Sequence, residues 1–282
     1  MKINRKIQEV LLKYGGFIRL IKRKGIITIV DFAIVAFINI ISKRFYKFRK
    51  NNYGFLEALF HSRDIDRWSR YAYVVDEIKK IRTKNILEVG SGGEGVTPFL
   101  SRDCEVFLSD VRKDVFHGLK AYHIIVSNGC KLPFRDNAFD VVISVDTAEH
   151  IPRSIRHNFY RELRRVCRRR IILTCPIQSD DNTFQGRTYD IIFQSFYEKL
   201  HGFKEPNTQQ HIDAGHPTLD EIKTAFPNAQ IHGYKNCDIW LKYMLFSRRP
   251  LIGLFCGLLY YLFWKREDIK PPYWGAIITV DS

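Results

Sequence analysis

The sequence lacks internal repeats and low-complexity tracts, so neither a solenoid nor a disordered linker protein fits it. It also lacks any C-x-x-C pair. Its six cysteines, Cys104, Cys130, Cys167, Cys175, Cys237 and Cys256, are scattered, which argues for reduced thiols in a cytosolic setting and against a disulfide framework or a zinc site. No other ligand spacing stands out, so no metal is expected. No signal peptide is legible: the first apolar run begins near Ile26 and no small-residue cleavage site follows it. No apolar run reaches the ~20 residues of a membrane-spanning helix. No RNA-binding module or motif is present, which argues against nucleic acid as a partner.

What is present is a 282-residue chain, 45% apolar, long enough to bury a substantial core. The net charge of +15 is unevenly spread. Residues 1–50 hold 13 Lys and Arg against Glu9 and Asp31, so +11 of the excess belongs to the N-terminal segment. A basic segment suits an anionic membrane surface or a nucleic acid, or is simply a solvated face. Within it, the run 26–41 (IITIVDFAIVAFINII) is flanked by Lys and Arg. Wound as a helix, it places Thr28, Asp31, Asn39 and Ser42 on one narrow side. Its wide apolar face can lie in a bilayer interface or pack on the protein body. The run 251–264 (LIGLFCGLLYYLFW) is bounded the same way and suits a buried helix or a monotopic anchor.

A helix is expected over residues 55–80, and a β/α alternation follows. Strands are expected at 85–90, 105–110, 122–128, 139–146 and 170–176, with a helix at 153–168 before the fifth. Residues 229–234 and 275–280 supply a sixth and a seventh strand. Thr218 opens a helix, with Glu221 as its capping-box partner. Alternation of this kind predicts an α/β fold: a Rossmann-like, mostly parallel seven-stranded sheet with helices on both faces. Around it we expect a helical basic amphipathic extension (1–54). The remaining domain (55–282) contains an acceptor-side loop region (177–216) and an apolar helical insertion (238–270). Right-handed crossovers would bring the strand ends to one edge, where ligands bind at the topological switch point.

The chemistry is concentrated in Glu88-Val-Gly90-Ser91-Gly92-Gly93-Glu94-Gly95, directly after the first strand. Glycines let the backbone turn sharply and approach a ligand closely, and a helix N-terminus is expected behind them. Gly90, Gly92 and Gly95 alone also fit a dinucleotide fingerprint. Asp110, at the end of the second strand, can accept hydrogen bonds from two ribose hydroxyls, whether of NAD or of S-adenosylmethionine (SAM). Glu88 separates the two, because an acid at that position suits the amino group of a methionine moiety. Then come Ser127-Asn128-Gly129-Cys130-Lys131-Leu132-Pro133-Phe134 and FDVVISVDTAEHI (139–151).

This order of motifs, over about residues 84–176, resembles the class I SAM-dependent methyltransferases of the Methyltransf_11 type. The resemblance implies that Glu88, Gly90 and Gly92 line the methionine side of SAM, that Ser91 between them is also cofactor-binding, that Asp110 holds the ribose, and that Asn128 and Gly129 flank the adenine. Asn128 stands where the family more often has Asp, and Glu94 where it usually has glycine. His150, just past the fourth strand, is the candidate general base. Asp146 is a second candidate, or a residue that orients backbone. His201, His211 and His216, with Phe193, Phe196 and Tyr197, can shape an acceptor pocket or pack loops.

The expected function is methylation at oxygen of a lipid-linked saccharide or other amphiphilic acceptor presented at a membrane surface, by a cytoplasmic protein held there peripherally. A soluble small molecule or a quinone-like lipid is the alternative acceptor. An NAD-dependent oxidoreductase and a non-catalytic membrane-anchored partner protein are the alternatives of another class.

Overall fold

The computed structural model describes residues 65–81, 83, 85–100, 104–117, 123–246, 260, 263 and 266–281. The extension 1–54 with its apolar run 26–41, the start of the helix expected at 55–80, and all of the second apolar run 251–264 except residues 260 and 263 lie outside the described residues.

Seven strands form one sheet: β1 (Asn85–Val89), β2 (Glu105–Asp110), β3 (His123–Val126), β4 (Phe139–Val145), β5 (Cys167–Pro176), β6 (Gln230–Asn236) and β7 (Tyr273–Asp281). Their order is β3-β2-β1-β4-β5-β7-β6. The first five pair in parallel, and β7 runs antiparallel to both β5 and β6. The expected mostly parallel seven-stranded sheet is what forms. The chain reverses its direction of travel across the sheet between β1 and β4, which opens a crevice at their carboxyl ends.

The sheet holds because its central strands are apolar on both faces, so each face can bury a layer of helices. Ile86, Val141, Ile143 and Ile172 face one side. There they meet Tyr71, Val74, Val75 and Ile78 of α1 (Ile65–Ile81), a single stripe at helical spacing. Leu87, Val142, Ile171 and Leu173 face the other side and meet Phe159, Tyr160, Leu163 and Val166 of α2 (Arg153–Val166). Each such aliphatic or aromatic side chain contributes roughly 1.5–3 kcal/mol on burial.

Strand β5 begins at Cys167, three residues before the expected start, immediately after α2. Arginine at 168 and 170 would not advertise a strand, but both are paired. Arg168 Nε donates to Asp140 Oδ1 at 2.8 Å and Arg170 Nε to Asp281 Oδ1 at 2.6 Å.

Two expectations are corrected. Residues 177–216 are not mainly loop: α3 (Gly186–His201) and α4 (Pro206–Ala214) occupy most of them. Tyr189, Ile192, Phe193 and Phe196 make the buried stripe of α3, mixed with enough polar residues to hide it in the sequence. Helix α4 starts with Pro206 after Glu205, whose carboxylate accepts the Thr208 N–H at 2.7 Å, an N-cap built from an acid. The second correction concerns α5 (Leu219–Ala225). Thr218 Oγ1 does accept the Glu221 N–H at 3.1 Å. The Glu221 carboxylate, however, does not close a capping box; it takes two hydrogen bonds from the fully buried Arg156, at 3.1 and 3.2 Å. A buried guanidinium draws a carboxylate more strongly than a backbone N–H does.

Helix α6 (Cys237–Phe246) opens the expected 238–270 insertion. Among the described residues no helix is long and apolar enough to cross a membrane.

Candidate active site

Strand β1 delivers the chain into the glycine turn. Gly90 and Gly95 adopt φ of +77° and +53°. At either one a Cβ would collide with what lies beside it: Thr147 Oγ1 at 2.2 Å from the first and Glu88 Oε2 at 2.1 Å from the second. Gly92 differs, because a Cβ there would meet nothing within 4 Å. It lines a cavity of about 670 Å³ at the carboxyl edge of the sheet. The helix expected behind the glycines is, among the described residues, only the 3₁₀ turn Thr97–Phe99.

Glu88 is fully buried beneath this turn rather than on the cavity wall. Its carboxylate accepts the Tyr71 hydroxyl at 2.7 Å and the Val96 N–H at 2.6 Å. Burial pushes its pKa up to about 7, against the lowering effect of those two hydrogen bonds. Glu88 therefore braces the turn from below. Ser91 is buried as well; its N–H donates to Ser109 O at 3.1 Å. Asp110 does line the cavity, and its two oxygens accept the N–H groups of Gly92 (3.0 Å) and Arg112 (2.9 Å). Asn128 and Gly129 form the adjoining wall. Asn128 Oδ1 accepts the Cys130 N–H at 2.9 Å, which fixes the turn and leaves the amide NH₂ for a ligand.

The opposite wall is built where β4 ends. Asp146 takes a left-handed conformation (φ +45°), which turns the chain into the 3₁₀ turn Ala148–His150. Its Oδ1 accepts the hydroxyls of Thr174 (3.0 Å) and Tyr234 (2.9 Å), and its Oδ2 lies 3.2 Å from Arg70 Nη1. These partners are side chains of β5, β6 and α1, so its carboxylate ties three elements together at the cavity wall.

His150 lines the same cavity. Its Nε2 lies 3.2 Å from Nε2 of His211 on α4. The Nδ1 of His211 is 2.8 Å from Asp190 Oδ2, which also meets His216 Nε2 at 2.9 Å, while Asp190 Oδ1 accepts the Trp274 indole N–H at 2.7 Å. Burial, and then the positive field of His211, lower the His150 pKa to about 4, so it is neutral near pH 7. Burial alone would lower His211 too, but the hydrogen bond and charge of Asp190 raise it to about 9. Glu149 is fully buried, and neither carboxylate oxygen has a hydrogen-bond partner. Burial, and then Asp146, push it up to about 8.

The structure thus brings Gly90, Gly92, Asp110, Asn128, Gly129, Asp146 and His150 around one cavity and leaves Glu88 and Ser91 behind it. His211 joins the site and His216 supports it through Asp190. His201 does not join: its ring packs 4.3 Å from that of Tyr197, away from the cavity, and Phe193 and Phe196 are core residues. Glu149 and Asp190 had no role in the sequence reading. The first was adjacent to His150 and could have been weighed with it. The second had no signal, because its partners come from α4, β7 and a loop. A wider groove of about 1280 Å³, between α2 and α5, contains none of the cofactor-side residues.

Residues 87–175 match the family model described as a methyltransferase domain. No curated protein matches the chain at a significant level. Among solved structures, a protein from Pyrococcus horikoshii OT3 is 25% identical over 36% of this chain and 53% of its own length, with a TM-score of 0.32. A SAM-dependent methyltransferase from Archaeoglobus fulgidus is 14% identical over 75% of this chain and 94% of its own, with a TM-score of 0.45. The phosphoethanolamine N-methyltransferase 2 of Haemonchus contortus, solved with SAM, is 16% identical over 72% of this chain and 50% of its own, with a TM-score of 0.43.

Proposed function

We propose that the chain, a class I SAM-dependent methyltransferase, methylates a hydroxyl oxygen of a small polar or lipid-linked acceptor, such as a saccharide. The observation that carries this reading is one cavity shared by Gly92, Asp110 and Asn128 on one wall and the neutral imidazole of His150 on the other.

The residues fit the cofactor. Gly92 leaves an open cradle beside the Asp110 carboxylate, where a Cβ would intrude on a ligand. Gly90 and Gly92 would lie along the methionine part, with Glu88 acting through the turn it braces. Asp110 would accept the ribose hydroxyls, and Asn128 and Gly129 would flank the adenine. SAM supplies a methyl group already activated on a sulfonium. What remains for the protein is to hold the acceptor oxygen in line and to take up its proton. His150 faces the acceptor side in neutral form, and Arg70, Asn207 and Gln210 add hydrogen-bonding groups to that wall. Such a lining suits a polyhydroxylated acceptor better than a bare hydrocarbon.

Isothermal titration calorimetry with SAM and NAD tests the cofactor assignment, with SAM alone expected to bind. Asp110→Ala should weaken SAM by ~1–3 kcal/mol through lost charge-assisted hydrogen bonds. NAD binding without a SAM signal would sink the assignment. The acceptor is found by mass spectrometry of lipids and glycans from cells with and without the protein, as a species lacking one methyl group.

The two apolar runs bordered by Lys and Arg, 26–41 and 251–264, support peripheral attachment to an anionic membrane. Apolar insertion resists salt, whereas basic flanks are screened by it. Detergent should therefore release the protein fully from membranes and high salt only partly. Deleting residues 1–50 should weaken attachment without changing SAM affinity. A full-length chain recovered wholly in the soluble fraction would end the membrane reading.

A further inference from the structure

We propose that Glu149, His150 and His211 form a binding site for one divalent transition-metal ion at the acceptor wall of the cavity. The inference rests on the reading that this wall receives the acceptor hydroxyl.

The ligand atoms of these three residues all lie within 4.8 Å of one another. The two imidazole Nε2 atoms oppose each other at 3.2 Å. Two nitrogens each ~2.1 Å from a common ion, at an angle near 100°, stand about that far apart. Without an ion, two facing nitrogens at this distance are compatible only if one proton lies between them. The third group makes the stronger case. Glu149 is fully buried, and both of its oxygens lack any hydrogen-bond partner. A carboxylate left so is costly, and a cation beside it removes the cost.

The surroundings have the form that metal sites require. A ligating histidine usually gives its second ring nitrogen to a carboxylate, which fixes its tautomer and orientation. His211 does this through Nδ1 to Asp190, and Asp190 is itself held by His216 and Trp274. Asp190 and His216, with His211, form a second close group. Both Asp190 oxygens are already engaged, so that group supports the site rather than binding an ion. His150 lines the cavity, which leaves coordination positions open on that side for water or an acceptor oxygen.

Two imidazoles and one carboxylate suit a zinc- or iron(II)-type ion better than magnesium, and Mn²⁺ is a paramagnetic probe that accepts the same donor set. An acceptor hydroxyl on such an ion loses its proton to solvent far more readily than a free alcohol does. The same wall would then activate the acceptor through the ion, with His150 holding it. The sequence gives no hint of this, because His150 and His211 are 61 positions apart.

The test uses the full-length protein, stripped with a chelator and titrated with Mn²⁺ alone. Calorimetry and the electron paramagnetic resonance signal of Mn²⁺ read the binding. The expected result is one ion per chain, with Mg²⁺ binding more weakly. Glu149→Gln keeps the side-chain volume and should lower the affinity at least about tenfold. Should that variant fail to fold, His150→Gln on the cavity side gives the same reading. No saturable Mn²⁺ binding to the wild type, or binding undiminished by these substitutions, overturns the site. SAM titration of the same samples reports separately on the methyltransferase reading, since Gly92 and Asp110 lie on the other wall.

Discussion

Replacing His150 with alanine is expected to lower turnover by ~10²–10⁴-fold, the range for groups that handle a proton in the transition state. SAM affinity should stay as it is. The separation follows from the geometry. His150 sits on the turn after β4, whereas the proposed cofactor contacts belong to the ends of β1 and β2 and to the Asn128 turn. The imidazole is neutral near pH 7 because burial and the neighbouring His211 both disfavour its protonated form. A group in that state takes a proton directly or holds an ion that does the equivalent work, and alanine can do neither. The measurement is kcat at saturating acceptor, alongside calorimetry for SAM. An unchanged kcat would leave His150 as a residue that merely orders its turn. A parallel loss of SAM binding would point instead to collapse of the cavity.

Replacing Asp190 with alanine is expected to destabilise the fold by about 3–5 kcal/mol, the cost of removing one partner from a buried charged group. Asp190 is 1% exposed and meets three groups, the rings of His211 and His216 and the Trp274 indole. The paired histidines and Trp274 hold α3, α4, the loop before α5 and β7 together. In its absence His216 and Trp274 keep buried polar nitrogens that water cannot reach, which is what makes the loss large. Asp190→Asn retains one acceptor oxygen and should recover part of the stability. Urea unfolding followed by circular dichroism gives the comparison. A change below about 1 kcal/mol for the alanine variant would show that the neighbouring groups find other partners.

The active-site turn shows why one part of the site was legible and another was not. The glycines and Asp110 could be placed from sequence because a parallel β/α unit puts the residues after a strand at the sheet edge, so position along the chain implies position in space. Glu88 shows the limit of that inference. Its place two residues before Gly90 implied a ligand contact, yet its side chain lies between α1 and the glycine turn, where the Tyr71 hydroxyl of α1 and the Val96 N–H of the turn take up its oxygens. Which face a strand residue occupies depends on what packs there. The same holds for Glu221, whose spacing from Thr218 implied a capping box until Arg156 drew its carboxylate away.

By itself the sequence determined the sheet, its mostly parallel sense, the glycine turn with Asp110 and Asn128, and the turn that carries His150. All of these are local: a hydrophobic period, a turn chemistry or a short motif sets each within a few residues. Tertiary structure alone decided that α3 and α4 fill the stretch expected to be loop. It alone brought His211 to within 3.2 Å of His150 and left Glu149 buried without a hydrogen-bond partner. Those outcomes depend on helices from distant parts of the chain packing on the end of β4. No period or spacing in the sequence encodes which side chains meet when separate elements are brought together by the burial of their apolar faces.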